Sequence, residues 1–349
     1  MVRSVQEADR ESFFHVWRSR EEGRGILHHG SMHWLRELYQ CLSAGLHRKR
    51  NRSIQDRAGT LPALRKLYDG LSGECRDKEM KDMKTMTQEE RLDFLVEGFK
   101  KDSLRYKDLE TPKDSEGKRV LLRSLMNIRM PSPMNEEVLA LQDEYLKTRA
   151  EEKGIIKLED IPEIRKGLSI WQGDITRLAV DAIVNAANSQ MLGCFVPMHS
   201  CIDNCIHSFA GIQLRNECNE KMKVKRIQYG EDYEQPTAVP MLTEAYNLPA
   251  RKIVHVVGPI VSGRLTEDLE NDLADCYANT LDLCKDSGLR SVAFCCISTG
   301  VFHFPNRKAA QIAVKTVREW VKRYPDSMDR VIFNVFKDED RRYYEQELC

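Results

Sequence analysis

Residues 180–188 read Val-Asp-Ala-Ile-Val-Asn-Ala-Ala-Asn, a short apolar strand that runs directly into a loop. Open α/β sheets bind their ligands at the carboxyl ends of strands, and Asn185 and Asn188 stand at that end. The two asparagines are therefore candidate ligand contacts. Asparagines in this position also close turns without any ligand, so both interpretations stand on these residues alone.

Strands and helices alternate on both sides of this stretch, from about residue 166 onward. Such alternation predicts an α/β sheet that is covered by helices on both faces. Strands are predicted at Leu168–Trp171, Ala182–Asn185, Ala238–Tyr246, Lys252–Val257, Ser291–Ile297 and Arg330–Phe336, and helices at Ile202–Phe209, Gln213–Lys223, Glu267–Ser287, Asn306–Tyr324 and from about Asp338.

A purely helical region precedes the alternating one. Thr87-Gln-Glu-Glu90 is a capping-box signature, in which a Thr hydroxyl and a Glu three residues later satisfy free N–H groups of a helix start. Further helices are predicted over Gly117–Asn127 and after a cap at Asn135. We expect a small helical subdomain over residues 85–160, followed by the α/β domain over residues 161–349.

Residues 1–84 carry no motif that points to chemistry, and we expect a poorly defined, disordered extension there. Short amphipathic helices are compatible with Met32–Leu46 and Leu61–Leu71. The basic run His47–Arg52 is typical of a solvated linker more than of a nucleic-acid contact.

Composition narrows the class of protein. The chain has 349 residues with 54 basic and 54 acidic side chains, so its net charge does not indicate a nucleic-acid partner. The longest clean apolar run, Val292–Ile297, is far shorter than the ~20 residues of a membrane span. Eleven cysteines, two of them adjacent, favour a reduced cytoplasmic protein with thiol or metal chemistry. We expect no membrane partner.

The densest group of reactive side chains is Gly193-Cys-Phe-Val-Pro-Met-His-Ser-Cys201. Two thiols and one imidazole, at Cys194, His199 and Cys201, are the ligands that zinc prefers. Three protein ligands with an open position are typical of catalytic zinc, and Cys205 is a candidate fourth ligand of a structural site. Unrelated buried thiols and a redox role are the alternatives.

Asp203 stands at the predicted start of the next helix, where a carboxylate is favoured by the helix dipole. On these residues alone, a plain helix cap is the favoured interpretation of Asp203, and His207 is most simply a helix residue that packs locally. Gly173-Asp174-Ile175-Thr176 follows a strand, and Asp174 there suits the cap of a helical turn.

The loop Ser298-Thr299-Gly300-Val301-Phe302 connects a strand to a helix. Its backbone N–H groups suit phosphate oxygens, and Phe302 suits stacking on a ribose or base. A plain strand–helix connection would have the same composition.

Taken in chain order, these motifs resemble the macrodomain family, which binds ADP-ribose. The resemblance covers roughly residues 166–340 and is carried by Gly173–Thr176, Val180–Asn188, Ile206–Gly211, His255–Pro259 and Ile297–Phe302. The loop 193–204 replaces the family's glycine-rich loop and is similar to that of zinc-containing microbial protein-ADP-ribose hydrolases. Residues 85–160, with Gln142–Leu146, resemble the N-terminal extension of that subgroup, and residues 1–84 are not covered. The implied fold is a three-layer α/β/α sandwich with a mixed sheet.

The resemblance implies a role for each matching position. Asp174 would accept a hydrogen bond from the adenine amino group, beside the Ile175 backbone, and Asn188 would contact the distal ribose. A single zinc ion would bind to Cys194, His199 and Cys201. The pyrophosphate and distal ribose would lie against Cys201, Ile202 and Asp203, and Asp203 would be the catalytic residue. The loop around the phosphates and distal ribose would consist of Ser298, Thr299, Gly300, Val301 and Phe302.

The expected activity is hydrolysis, with one zinc ion per chain, of mono-ADP-ribose from protein side chains, chiefly Asp or Glu esters. The expected partners are a mono-ADP-ribosylated protein as substrate and ADP-ribose as product, and the expected state is a cytoplasmic monomer. One alternative is a non-catalytic ADP-ribose reader with structural zinc. Another is a nucleic-acid-associated protein that uses His47–Arg52, which the zero net charge disfavours.

Overall fold

The computed structural model describes residues 85–348. The expectations for residues 1–84, including the two short helices, the basic run and disorder, lie outside the described residues. Between residues 85 and 348, no helix combines the length and the apolar character that crossing a membrane requires.

The described residues form two compact units, and the first comprises residues 85–125 and 134–145. It contains helix α1 (Gln88–Lys101) and parts of α2 (Ser115–Ile128) and α3 (Glu136–Lys153). The predicted capping box is confirmed, since Thr87 N–H donates to Glu90 at 2.8 Å and Glu90 N–H donates to the Thr87 hydroxyl at 3.2 Å. The proposal that residues 85–160 are a separate subdomain stays a prediction.

The second unit comprises residues 126–133 and 146–348 and is built around a sheet. Its strands are β1 (Ile156–Lys157), β2 (Leu168–Gln172), β3 (Leu178–Ala179), β4 (Ala182–Ala187), β5 (Met241–Glu244), β6 (Lys252–Val257), β7 (Ser291–Phe294) and β8 (Arg330–Val335). Its remaining helices are α4 (Ile202–Ala210), α5 (Ile212–Tyr229), α6 (Glu267–Asp286), α7 (Asn306–Arg323) and α8 (Asp338–Leu348).

Six strands form the main sheet in the order β2-β8-β7-β4-β6-β5. All neighbours are parallel except β5 and β6, so the sheet is mixed, as predicted. Successive residues of a strand face opposite sides, and both Ile183 and Val184 of β4 are fully buried. Helices therefore cover both faces, which confirms the α/β/α expectation.

Two strands are shorter than predicted. Strand β5 covers only Met241–Glu244 because Ala238 and Tyr246 adopt positive φ angles of 61° and 52°, outside the β region. Strand β7 ends at Phe294, and the chain turns where Thr299 N–H donates to the Cys296 carbonyl at 3.4 Å.

Helix α5 exceeds its predicted length by the largest margin. Helix α5 continues past Lys223 to Tyr229, and it stops where Gly230 takes a φ of 113°. No proline or glycine lies inside this helix, so only the glycine that follows it ends the helical hydrogen bonding.

Replacing Ile183 by Ala tests the central position of β4. Ile183 is fully buried and lies opposite Ile253 of β6 and Ala293 of β7, so the cavity should cost about 2–5 kcal/mol in the free energy of unfolding. Ile227→Ala is the matched control, because Ile227 is 88% exposed on α5 and should change stability by less than about 0.5 kcal/mol. Urea denaturation measures the free energy of unfolding of both variants. Equal losses of stability would show that β4 is not central.

Candidate active site

Three candidate metal ligands lie together in the loop between β4 and α4. The ligand atoms of Cys194, His199 and Cys201 are all within 4.8 Å of one another, and Cys194 Sγ lies 3.6 Å from His199 Nδ1. Cys205 lies one turn into α4 and is not part of this group. The structure thus brings together the three predicted ligands and leaves out the candidate fourth.

The Cys194 and Cys201 side chains interact and shift each other's pKa in opposite directions. A hydrogen bond from Cys201 lowers the pKa of the Cys194 thiol to about 4, and His199 adds to this effect. Donating that hydrogen bond, together with burial, raises the pKa of Cys201. Metal binding requires deprotonated thiols, and two sulfurs with one imidazole nitrogen suit zinc.

The loop reaches this geometry through backbone conformations that few residues adopt. Gly193 has a φ of 78°, and a Cβ there would lie 2.7 Å from Cγ of His207. Met198 also has a positive φ of 59°, immediately before His199. The Asn204 side chain donates to the Val196 carbonyl at 2.9 Å and to the Cys194 carbonyl at 3.3 Å.

Asp203 is buried in the first turn of α4. Its carboxylate accepts hydrogen bonds from Asn185 at 2.8 Å and from Asn188 at 3.4 Å. Burial raises the pKa of the Asp203 carboxyl to about 7, against the hydrogen bond from Asn185, which lowers it. The helix cap is Cys201, whose sulfur accepts from Asn204 N–H at 3.4 Å, so Asp203 does not have the capping role that its position allowed.

His207 packs locally, as expected, against Asp203 four residues earlier on the same helix. Its Nε2 is 3.6 Å from Asp203 Oδ1, and neither ring nitrogen has a hydrogen-bond partner among the described residues. Burial lowers the pKa of His207 well below its usual value, so the ring is neutral. The i, i+4 spacing of the two residues was the sequence signal for this contact.

A second group of metal-ligand atoms, in His207, Cys218 and His255, lies in the core behind Asp203. Both ring nitrogens of His255 already have partners, Asn185 Nδ2 at 3.0 Å and Thr243 Oγ1 at 2.9 Å. Burial lowers the pKa of His255 to about 3. His255 therefore belongs to a hydrogen-bond network with Asn185, Cys218 and Thr243. Asn185, a candidate ligand contact, connects this network to Asp203.

The predicted phosphate loop follows β7. Ser298 has a φ of 63°, and its buried hydroxyl has no hydrogen-bond partner in residues 85–348. Gly258 lies against it, since a Cβ at Gly258 would be 2.1 Å from Ser298 Oγ. Val261 N–H donates to the Phe302 carbonyl at 2.9 Å. Gly258 belongs to the motif His255–Pro259, but its contact with Ser298 was not predicted, because that contact joins two loops that are distant along the chain.

Asp174 caps the helical turn Ile175–Arg177, as its position suggested. One carboxylate oxygen accepts from the N–H and hydroxyl of Thr176, at 3.0 and 2.6 Å. The other oxygen lies 3.8 Å from Lys153 Nζ and is the one available to a ligand. The Ile175 side chain is buried, so only its backbone can reach a ligand.

An exposed aromatic ring lies next to this turn and was not predicted as a site residue. Phe336 follows β8 and is 76% exposed, and its carbonyl accepts from the Gln172 side chain at 3.3 Å. No local pattern marks Phe336, because its position comes from the β2–β8 pairing. Gln172 lies opposite Val335, so Phe336 and Asp174 both follow the last residue pair of these two adjacent strands.

Comparisons with known proteins agree on one family. Residues 184–313 match the model of the Macro domain family. A protein-ADP-ribose hydrolase of Treponema medium is 46% identical over 263 residues, which are 74% of this chain and 98% of that protein. A protein-ADP-ribose hydrolase of Staphylococcus aureus is 40% identical, over 73% of this chain and 94% of that protein.

The chain belongs to the macro domain family. A solved macrodomain of Trypanosoma brucei in complex with ADP-ribose is similar as well. It is 26% identical with a TM-score of 0.50, over 65% of this chain and 95% of that one.

The candidate site residues of this macro domain follow the carboxyl ends of four neighbouring parallel strands. Asp174 follows β2, Phe336 follows β8, Ser298 follows β7, and Asn188 follows β4. Three strand spacings of about 4.8 Å separate β2 from β4, so the row extends over roughly 14 Å. An elongated ligand lying along this edge would meet Asp174 at one end and Asp203 at the other.

Replacing Gly193 by Ala tests the packing of the metal-ligand loop on His207. Gly288 has a similar φ of 68° with no described atom within 4 Å of an added Cβ, so Gly288→Ala is the matched control. Both variants should lose ~1–2 kcal/mol of stability to the left-handed backbone, and Gly193→Ala should lose about 1–3 kcal/mol more to the clash. If chemical denaturation shows equal losses of stability in the two variants, the metal-ligand loop can shift to accommodate the added methyl group.

Proposed function

We propose that this macro domain protein is a zinc-dependent hydrolase that removes mono-ADP-ribose from protein side chains. The main support for the proposal is the group of Cys194, His199 and Cys201. Along the chain, Cys201 comes two residues before Asp203, whose carboxylate is buried. A non-catalytic binding module has no need of a buried carboxylate beside three metal ligands. The names of the bacterial relatives support the same activity.

ADP-ribose would lie along the row of strand ends. The free oxygen of Asp174 would accept a hydrogen bond from the adenine amino group, and the exposed ring of Phe336 would stack on the base. Backbone N–H groups of residues 298–302 would bind the diphosphate, because such loops offer several donors to one anion. Asn188 would contact the distal ribose, which places the reacting carbon near Asp203.

The reaction adds water across the bond between the anomeric carbon of the distal ribose and the side chain. The hydroxyl group of water remains on ADP-ribose, a carboxyl side chain leaves as its carboxylate, and the water proton passes to a base and then to solvent. When bound, a zinc ion with three protein ligands supplies an open position that activates a water molecule or polarises a ribose hydroxyl. Asp203 would accept a proton or stabilise positive charge on the sugar, held in place by Asn185 and Asn188.

We further propose that the bond is an ester of Asp or Glu. The pocket offers one buried carboxylate, Asp203, and the neighbouring His207 is neutral. A side-chain carboxylate is a good leaving group that needs no proton, since its conjugate acid has a pKa of ~4. A serine alkoxide would need a strong general acid, which this pocket does not hold among residues 85–348.

We propose that the protein acts as a monomer in the cytoplasm. The eight cysteines among residues 85–348 are all free, and four of them are buried. Thiols that remain reduced without pairing are typical of a reducing compartment.

Asp203→Asn should lower turnover by about 10²–10⁴-fold while zinc content stays at one ion per chain. The assay incubates zinc-quantified protein with a mono-ADP-ribosylated acidic-residue substrate and follows released ADP-ribose. Asp286→Asn is the matched control, because Asp286 is exposed at the end of α6, on the side of the sheet where β7 begins. Cys201→Ser should lose both zinc and turnover.

Two results would contradict this proposal. Full activity in a Cys201→Ser protein that holds no zinc would exclude the metal mechanism. Tight ADP-ribose binding without release from acyl, serine or arginine linkages would identify a reader with structural zinc.

Phe336→Ala should weaken ADP-ribose binding by about 5–150-fold and leave turnover at saturation nearly unchanged, since stacking of a base on an aromatic ring contributes ~1–3 kcal/mol. Calorimetric titration with ADP-ribose measures the change. Tyr229→Ala removes another exposed aromatic ring, 61% exposed at the end of α5, and should bind as the wild type does. Equal affinities in all three proteins would exclude Phe336 from the base site.

A further inference from the structure

A short segment of the second unit, residues 126–133, lies against the loop that carries the metal-ligand candidates. Its contacts run through two buried side chains, Asn127 and Arg215, neither of which was singled out in the sequence. Asn127 belongs to the last turn of α2, and Arg215 belongs to the first turn of α5.

Arg215 connects the segment to the start of the metal-ligand loop. One of its terminal nitrogens donates to the carbonyls of Met126, Asn127 and Arg129, at 3.0, 2.8 and 2.7 Å. These carbonyls belong to the end of α2, where the helix itself provides no donors. The Nε of Arg215 donates to the Leu192 carbonyl at 2.7 Å. Burial lowers the pKa of Arg215 to about 10, so the guanidinium stays charged at neutral pH.

The Arg215 guanidinium also contacts Phe195, the residue that follows Cys194. It lies 4.3 Å from the centre of the Phe195 ring, which is within the range of a cation–π interaction. Cys194 is therefore placed between two residues, Leu192 and Phe195, that Arg215 contacts directly.

Asn127 contacts the metal-ligand loop near His199. Its carbonyl oxygen accepts from the Met198 N–H at 3.0 Å, immediately before His199, and its amide nitrogen donates to the Ser208 hydroxyl at 2.8 Å. Met198 has the positive φ noted above, a conformation that persists only where neighbouring contacts impose it. The hydrogen bond from Met198 to Asn127 is one such constraint.

We propose that residues 126–133, acting through Asn127 and Arg215, are a positioning clamp that fixes Cys194 and His199 in ligand geometry and slows zinc release. The inference rests on the proposed zinc site and adds a function for the chain that precedes the sheet. A loop without regular structure would otherwise have to be ordered each time the metal binds, and supporting contacts of this kind change metal affinity by about 10–100-fold.

The test compares zinc release from three variants of the full chain. Asn127→Leu removes the hydrogen bond to Met198 at nearly constant volume, and Phe195→Leu removes the ring beneath Arg215. Asn216→Ala is the matched control, because Asn216 joins α5 to the same segment through two hydrogen bonds to Ser132, both 3.1 Å, and does not touch the loop.

Each zinc-loaded protein is mixed with an excess of a coloured chelator, and zinc transfer is followed by absorbance. The temperature is kept below the unfolding transition of every zinc-free protein. Asn127→Leu and Phe195→Leu should release zinc at least about 10-fold faster than the wild type, and Asn216→Ala should stay within about twofold. The zinc-free melting temperatures should not follow this ranking, because a general loss of stability would affect the control as well.

Two outcomes would overturn the clamp. Wild-type release rates in both variants would mean that the loop holds its geometry alone. Release rates that follow only the zinc-free melting temperatures would mean that the contacts serve general stability. A wild-type protein that binds no zinc would be a separate failure, since it would remove the metal from the proposed function together with the clamp.

Discussion

The burial of one carboxylate, that of Asp203, is the constraint that shapes this site. A charge removed from water costs several kcal/mol unless donors and opposite charges replace the solvent. Here the replacement consists of two amide groups, Asn185 and Asn188, the start of α4, and the buried guanidinium of Arg215, whose charge favours the ionised carboxylate. The strand, the loop and two helices are thus positioned around a single acidic group.

The sheet order converts this local arrangement into an extended site. Strands β2, β8, β7 and β4 are neighbours although they are far apart in the chain, because helical connections return the chain to parallel positions. All four carboxyl ends therefore open on the same edge, where backbone donors and side chains are free to bind a ligand. The spacing of the strands sets the distance between the adenine end, at Asp174, and the reacting end, at Asp203.

The loop 189–201 contains no helix or strand, yet its ligands are gathered closely. Asparagine side chains replace the missing regular hydrogen bonds, since each offers one acceptor and two donor hydrogens to the backbone. Asn127, Asn188 and Asn204 bond to Met198, Gly193 and Val196 respectively. These side-chain hydrogen bonds define the conformation of the metal-ligand loop, although it contains no regular secondary structure.

By itself the sequence determined the elements whose signals are local: the capping box at Thr87, the alternation of strands and helices, and the spacing of Cys194, His199 and Cys201. Strand ends were less well predicted, because positive φ angles at Ala238 and Tyr246 leave no pattern in composition. Only the tertiary structure placed Phe336 and Asp174 at the ends of two adjacent strands, Gly258 against Ser298, and Asn127 against the metal-ligand loop. Those contacts join residues that are distant in the chain, and nothing in their neighbouring residues records a partner that only folding brings near.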